Sequence, residues 1–138
     1  MLLYLYPDAT ITFHPKWDSL IIKADPDLLE LAIVNIFHNA AKYSKGSAKI
    51  TVNIDTVGEE LKIVICDQGI GIPEADLEHI FDRFYTVDKA RSRRLGGAGL
   101  GLSIVKNIIQ KHDGLISVTS KVGVGSCFTI FLPMRRKI

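Results

Sequence analysis

The chain has little cysteine, no long apolar run and no strong excess of either charge. Its 138 residues hold two cysteines, Cys66 and Cys127, with no CxxC pair and no metal-ligand spacing. Both sit in apolar runs, Ile63-Val64-Ile65-Cys66 and Cys127-Phe128-Thr129-Ile130. They read as two small buried hydrophobes in a reducing compartment, with a disulfide as the alternative. No apolar run approaches the ~20 residues of a membrane span. The apolar start Met1 to Tyr6 lacks a basic flank and is too short for a signal peptide. The expectation is a soluble, cytoplasmic unit without direct membrane contact, whose longer parent can still carry an anchor. The net charge is +2, too mild to argue for nucleic acid or an anionic membrane.

Length allows one domain and excludes a two-domain enzyme, though not a fragment of one. Hydrophobic residues are 47% and charged residues 23% of the chain, so a folded core is expected rather than disorder. A chain of this size buries roughly 68% of its unfolded surface. No internal repeat or low-complexity tract interrupts it.

Thr10 to His14 and Leu20 to Ala24 read as short strands around a Pro15-Lys16-Trp17-Asp18 turn. Asp25-Pro26-Asp27 is a helix start, with Asp25 as N-cap and Pro26 at the first helical position. The spacing predicts a helix from Pro26 to about Tyr43, with Leu29, Ile33, Ile36, Phe37 and Ala40 on its core face. Lys49 to Thr56 and Glu60 to Asp67 predict a hairpin around Val57-Gly58-Glu59. A short helix is expected over Glu74 to Ile80 and a longer one over Leu100 to Lys111. Leu115 to Ser120 and Ser126 to Leu132 predict a closing hairpin. This order implies an α+β two-layer sandwich, with helices on one face of a mixed, mostly antiparallel sheet. The hairpins interrupt any βαβ alternation.

Four segments carry chemistry. Asn35, Asn39, Lys42 and Tyr43 lie at i, i+4, i+7 and i+8, on one helix face. Two carboxamides offer oxygens to a hard cation and donors to phosphate. Taken alone, the stripe also fits an ordinary solvated helix face. Asp67-Gln68-Gly69-Ile70-Gly71 puts a carboxylate at the end of an apolar strand, where it can accept from an exocyclic amine, and its glycines permit close backbone approach. A plain Asp-capped turn is the bland alternative. Gly96-Gly97-Ala98-Gly99-Leu100-Gly101 opens a helix and can expose amides to phosphate. Its spacing matches neither the Rossmann fingerprint nor the P-loop. Phe81-Asp82-Arg83-Phe84-Tyr85 precedes a basic loop with Lys89, Arg91, Arg93 and Arg94, whose cations can reach phosphate oxygens. The loop lacks interleaved aromatics, so no nucleic-acid partner is expected.

Together, these segments resemble the catalytic ATP-binding domain of sensor histidine kinases. That domain shares a superfamily with DNA gyrase, mismatch-repair ATPases and heat-shock chaperones. Asn35 to Ser44 resembles the N box, Asp67 to Pro73 the G1 box, Phe81 to Tyr85 the F box and Gly97 to Leu102 the G2 box. Gly123 to Phe128 resembles the closing glycine turn and strand, so the likeness runs from about Ile21 to Pro133. It implies a Bergerat-type fold over 1–138, a mobile ATP lid over 85–97, and ATP with Mg²⁺ as cofactors.

By that resemblance, Asn39 binds Mg²⁺ and Asn35 supports it or contacts phosphate. Lys42 and Tyr43 reach the phosphates and sugar. Asp67 accepts from the adenine amine, with Gly69 and Gly71 close to the ring. Ile72, Ile80, Leu102 and Phe128 wall the base, and Phe81 and Ser126 complete the site. Gly97, Gly99, Leu100 and Gly101 present amides to the phosphates. Arg83 and Arg91 neutralise charge. Ala98 stands where many relatives carry a hydroxyl, which implies weakened rather than abolished binding.

The implied partners are a histidine-bearing helical dimerisation domain of the same parent and a response regulator. The chain's own His14, His38, His79 and His112 lack the acceptor context and read as surface or structural residues. An anti-sigma-type serine kinase is the enzyme alternative. It favours a carboxylate base where Asn35 stands, and an amide cannot take a proton. A nucleotide-binding pseudo-kinase module is the other alternative, supported only by Ala98.

Overall fold

The structure is a computed structural model and describes residues 10–15, 22, 24–44, 49–85 and 101–134. Its elements in chain order are β1 (Thr10–Pro15), α1 (Pro26–Lys42), β2 (Lys49–Val57), β3 (Glu60–Asp67), α2 (Glu74–Leu77), α3 (Gly101–Lys111), β4 (Leu115–Lys121) and β5 (Gly125–Pro133).

The strands form one five-stranded sheet in the order β1-β2-β3-β5-β4. The β1–β2 pair is parallel and the other three pairs are antiparallel. The sheet is therefore mixed and mostly antiparallel, the α+β architecture expected. The anticipated strand over Leu20 to Ala24 is absent at Ile22 and Ala24, and its other positions lie outside the described residues.

Alternation along each strand sets the two faces. Ile50 and Val52 of β2, Leu61, Ile63 and Ile65 of β3, and Phe128, Ile130 and Leu132 of β5 are buried. Register places Ile65 between Val52 and Phe128, and Ile63 between Ile54 and Ile130. Ala32, Ile36, Ala40 and Ala41 of α1 and Val105, Ile108 and Ile109 of α3 complete the core from the helix side. Leu29, Ile33 and Phe37, expected on the core face of α1, pack against it while only partly buried.

Helix α1 begins as its sequence dictates. The Asp25 carboxylate accepts from the amides of Asp27 and Leu28, both at 3.1 Å, and Pro26 occupies the first turn without needing a partner. Helix α2 is shorter than expected. Three-residue closures follow it, His79 N–H to the Asp76 carbonyl and Asp82 N–H to that of His79, each at 2.9 Å. Such tight turns replace the four-residue ladder, so Ile80 falls in a turn rather than in the helix.

The cysteines require a correction. Cys66 and Cys127 are direct cross-strand partners on β3 and β5 and are joined in a disulfide with a Cα–Cα distance of 4.0 Å. Each follows or precedes a buried position, so both point away from the helices and are half-buried. They are neither free thiols nor core hydrophobes, because register brings together two positions that are 61 residues apart in sequence.

Candidate functional site

Strand β3 ends at Asp67, whose side chain shares the helix-facing side with Ile65 and its cross-strand partner Ile50. Its Oδ1 accepts the Gly69 amide at 2.9 Å and the Ser126 amide at 3.3 Å. Burial raises the Asp67 pKa, and those two amide hydrogen bonds act in the opposite sense. A partly desolvated carboxylate, aimed by two backbone donors, thus stands at the end of the sheet.

The loop after Asp67 is held from both sides. The Ile70 amide donates to the Tyr43 carbonyl at 3.1 Å, and Gly69 bridges Ser44 at the end of α1. On the other side, the Gly123 amide donates to the Ile70 carbonyl at 2.9 Å. Gly71 has φ +77°, and a Cβ there would stand 2.3 Å from the Lys121 carbonyl oxygen. Its freedom therefore serves a close approach to the β4–β5 turn. Gly125 plays the matching part, since a Cβ on it would meet the Asp67 carbonyl.

Asn35 and Asn39 share one face of α1, both half-exposed. The Asn35 amide nitrogen donates to the Leu31 carbonyl at 2.8 Å, which turns its carbonyl oxygen away from that carbonyl. That oxygen lies 3.3 Å from where a Cβ on Gly101 would be, so α1 presents Asn35 to the start of α3. One turn further on, the Lys42 ammonium lies 5.4 Å from the Tyr43 ring centroid. Burial lowers the Lys42 pKa. His38 is lowered by burial first and then by the Lys42 charge.

The apolar residues divide by depth. Ile72, Phe81 and Leu102 are partly buried and pack on the core. Ile80 and Phe128 are fully buried in the core. Phe81 meets Phe128 edge-on, with centroids 6.3 Å apart. Arg83 is exposed, with its guanidinium 5.5 Å from the Phe84 centroid. Phe84 itself adopts φ 62° and is 65% exposed. Arg91, Gly97, Gly99 and Leu100, with Ala98 and most of the expected lid, lie outside the described residues.

The structure thus brings Asp67, Gly69, Gly71, Ile72 and Ser126 together at one sheet end, beside Tyr43. Asn35 and Gly101 meet across the α1–α3 contact. Sequence reading missed Ser120, whose hydroxyl bonds to Ile72, Gly125 and Ser126. Its signal appears only in the β4–β5 register, which pairs Ser120 with Ser126.

His112 and His79 are engaged elsewhere. His112 Nε2 accepts the Asp25 amide at 2.9 Å and its Nδ1 donates to the Ile108 carbonyl at 2.8 Å, tying the start of α1 to the end of α3. His79 sits 3.1 Å from Asp82 and 3.4 Å from Glu78.

Comparison with known proteins gives a family. The family described as histidine kinase-, DNA gyrase B- and HSP90-like ATPase matches residues 24–136. Among curated relatives, the sensor histidine kinase WalK of Bacillus subtilis is 46% identical over 121 residues, 86% of this chain and 20% of that protein. The sensor-like histidine kinase SenX3 of Mycobacterium bovis is 44% identical over 115 residues, 83% of this chain and 28% of that protein. The chain therefore spans less than a third of the length of these relatives. Among solved structures, a mycobacterial sensor histidine kinase, MprB, superposes with a TM-score of 0.86 at 30% identity, covering 99% of this chain and 90% of that one. The catalytic domain of histidine kinase ThkA superposes with a TM-score of 0.79 at 25% identity, covering 96% and 89%. On these matches, the chain belongs to the histidine kinase-, DNA gyrase B- and HSP90-like ATPase family.

Proposed function

We propose that this domain binds Mg·ATP between α1, the loop after Asp67 and the start of α3. From there it donates the γ-phosphoryl group to a histidine on a separate helical dimerisation domain of the same parent. A response regulator then receives the phosphoryl group from that histidine. The domain works on the cytoplasmic side, whether or not its parent is anchored in a membrane.

The observation that carries this reading is the Asp67 carboxylate, oriented by the Gly69 and Ser126 amides at the end of β3. A fixed, partly buried acceptor suits an exocyclic amine of a base, which brings donors and no charge. Ile72, Phe81 and Leu102 supply the apolar surface against which a flat ring packs. Asn39 and Asn35 are the residues that would hold Mg²⁺. Carboxamide oxygens suit a hard cation, and the bond of the Asn35 nitrogen to Leu31 fixes the direction of its oxygen. When bound, the cation neutralises phosphate charge, which is most of what phosphoryl transfer asks of a protein. Lys42, Arg83, Arg91 and the amides of Gly97, Gly99, Leu100 and Gly101 add positive charge and donors on the phosphate side. Tyr43 lies toward the sugar.

No residue in this set takes a proton from water. Asn35 occupies the position where a carboxylate base would activate a nucleophile, so intrinsic hydrolysis is expected to be slow.

Asp67→Asn tests the reading. The variant keeps an acceptor oxygen for the two amides but brings an NH₂ group to the base. Calorimetry with Mg·ATP should show binding lost while circular dichroism stays native. Undiminished affinity would remove the base assignment.

A further inference from the structure

The bridge between Cys66 and Cys127 closes the β3–β5 ladder. Theirs is the last pair in register, and the next residues along are joined differently, by the Ser126 amide and the Asp67 Oδ1 at 3.3 Å. The end of the ladder thus carries two links on opposite faces. One is covalent, on the helix-free face; the other is a hydrogen bond, on the helix-facing side. Just beyond, the two chains run close, since a Cβ on Gly125 would meet the Asp67 carbonyl. The amide bond is already longer than most of its kind, so a small parting of the strands breaks it.

A thiol can approach the two sulfurs. Helices α1 and α3 pack on the other face of the sheet. In register beside the bridge stand Thr51 and Thr119, two short polar residues. Both cysteines are half-buried rather than enclosed. In the reducing setting that the proposed function implies, such disulfides are transient and redox-sensing rather than permanent.

We propose that Cys66 and Cys127 form a thiol–disulfide switch that sets the affinity of the site for nucleotide, tight when the bridge is closed and weaker when it is open. This rests on the reading of Asp67 as the group that takes the base. Opening uses two electrons and two protons from a dithiol. One thiolate of the dithiol attacks a bridge sulfur. The S–S bond breaks as a mixed disulfide forms, and the departing cysteine thiolate takes a proton. The second thiol of the reagent then displaces the other cysteine, leaving a cyclic disulfide and two protein thiols. The reverse exchange closes the bridge. Two thiols cannot sit as close as two bonded sulfurs, so opening drives the strand ends apart at this rung. The Ser126 amide then withdraws from Asp67, and the carboxylate loses one of the two donors that aim it.

The experiment is calorimetric titration of the 138-residue chain with Mg·ATP, oxidised and then reduced with dithiothreitol. Alkylation and mass spectrometry count thiols, and circular dichroism follows the fold. Reduction should expose two thiols and weaken Mg·ATP binding by about threefold to tenfold, the net worth of one hydrogen bond. Reoxidation should restore it. Hydrogen exchange of the Ser126 amide, measured without nucleotide, should quicken on reduction. A chain that never forms the bridge overturns the proposal, and so does equal affinity in the two states. A relocated bridge separates local clamping from general stability. Val64 and Thr129 are partners two residues back on the same face. A Val64→Cys/Thr129→Cys chain that also carries Cys66→Ala and Cys127→Ala should, when oxidised, bind as weakly as reduced wild type. Binding as tight as in oxidised wild type rejects the switch, and this comparison decides the matter if the reduced wild type loses its fold. Asp67→Asn separates the two readings. Loss of binding there with no effect of reduction on wild type rejects the switch alone, whereas undiminished binding in Asp67→Asn rejects both.

Discussion

The Asp67 carboxylate is drawn in two directions by its surroundings. Partial burial raises its pKa above the ordinary 3.8, and the Gly69 and Ser126 amides offset only part of that rise. A raised value in the folded state means that the fold binds this proton more tightly than the unfolded chain does. Its contribution to stability is therefore fully present below pH 3.8 and is lost as pH rises through the folded value. Asp67→Asn removes the titration while keeping the acceptor oxygen. The variant is expected to be at least as stable as wild type near neutrality, and its relative advantage should shrink as pH falls from about 7 to about 3. Urea unfolding of both proteins across that range measures it, and an advantage that grows toward acid would contradict the burial argument. The comparison cancels His38, whose lowered pKa acts equally in both proteins. The conflict at Asp67 is of the kind expected where a fold gives up stability for a binding group.

Among the elements, α1 was the most legible in the sequence, because its start depends on neighbours in the chain. Asp25, Pro26 and the apolar spacing after them are local signals, and the helix starts at Pro26 and ends at Lys42, within a residue of expectation. The two hairpins were legible for the same reason. Helix α2 was less so, since its apolar spacing does not reveal that three-residue closures take over after Leu77. The Ser120 bonds were not legible, and the Cys66–Cys127 bridge was legible only as an alternative to two free thiols. Each depends on which residue faces which across strands, and in the bridge the partners are separated by 61 residues. Arg91, Gly97 and Gly99, expected to act on phosphate, lie outside the described residues. The bridge carries its own prediction. Cross-linking residues this far apart restricts the unfolded chain, which stabilises a typical protein by about 2–4 kcal/mol. Dithiothreitol, or Cys127→Ala, should lower the urea midpoint by a corresponding amount while the sheet remains, because both sulfurs lie on the helix-free face. An unchanged midpoint under reduction would mean that the bridge adds nothing to stability.

At the scale of the molecule, the question is what the domain can do unaided. His112 is spent in linking α1 to α3, and His79 faces Glu78 and Asp82. The isolated chain is therefore expected to take no acid-labile label from γ-labelled ATP. Adding a helical domain that carries a histidine followed by Glu or Asp should produce labelled partner, and labelling of the chain alone would show an acceptor within it. How such a partner reaches the nucleotide depends on the polarity of β1. Because β1 runs parallel to β2, Thr10 pairs with Lys49, next to the Ile50–Asp67 pair. Whatever enters β1 thus enters at the Asp67 end of the sheet, where the proposed function puts the nucleotide. Antiparallel pairing of the same six residues would have moved that entry to the far end, a distance of roughly 20 Å at 3.3 Å per residue. On the proposed function, the direction of one edge strand therefore sets how short a tether entering through β1 can be, and with it the effective concentration of a tethered group at the nucleotide.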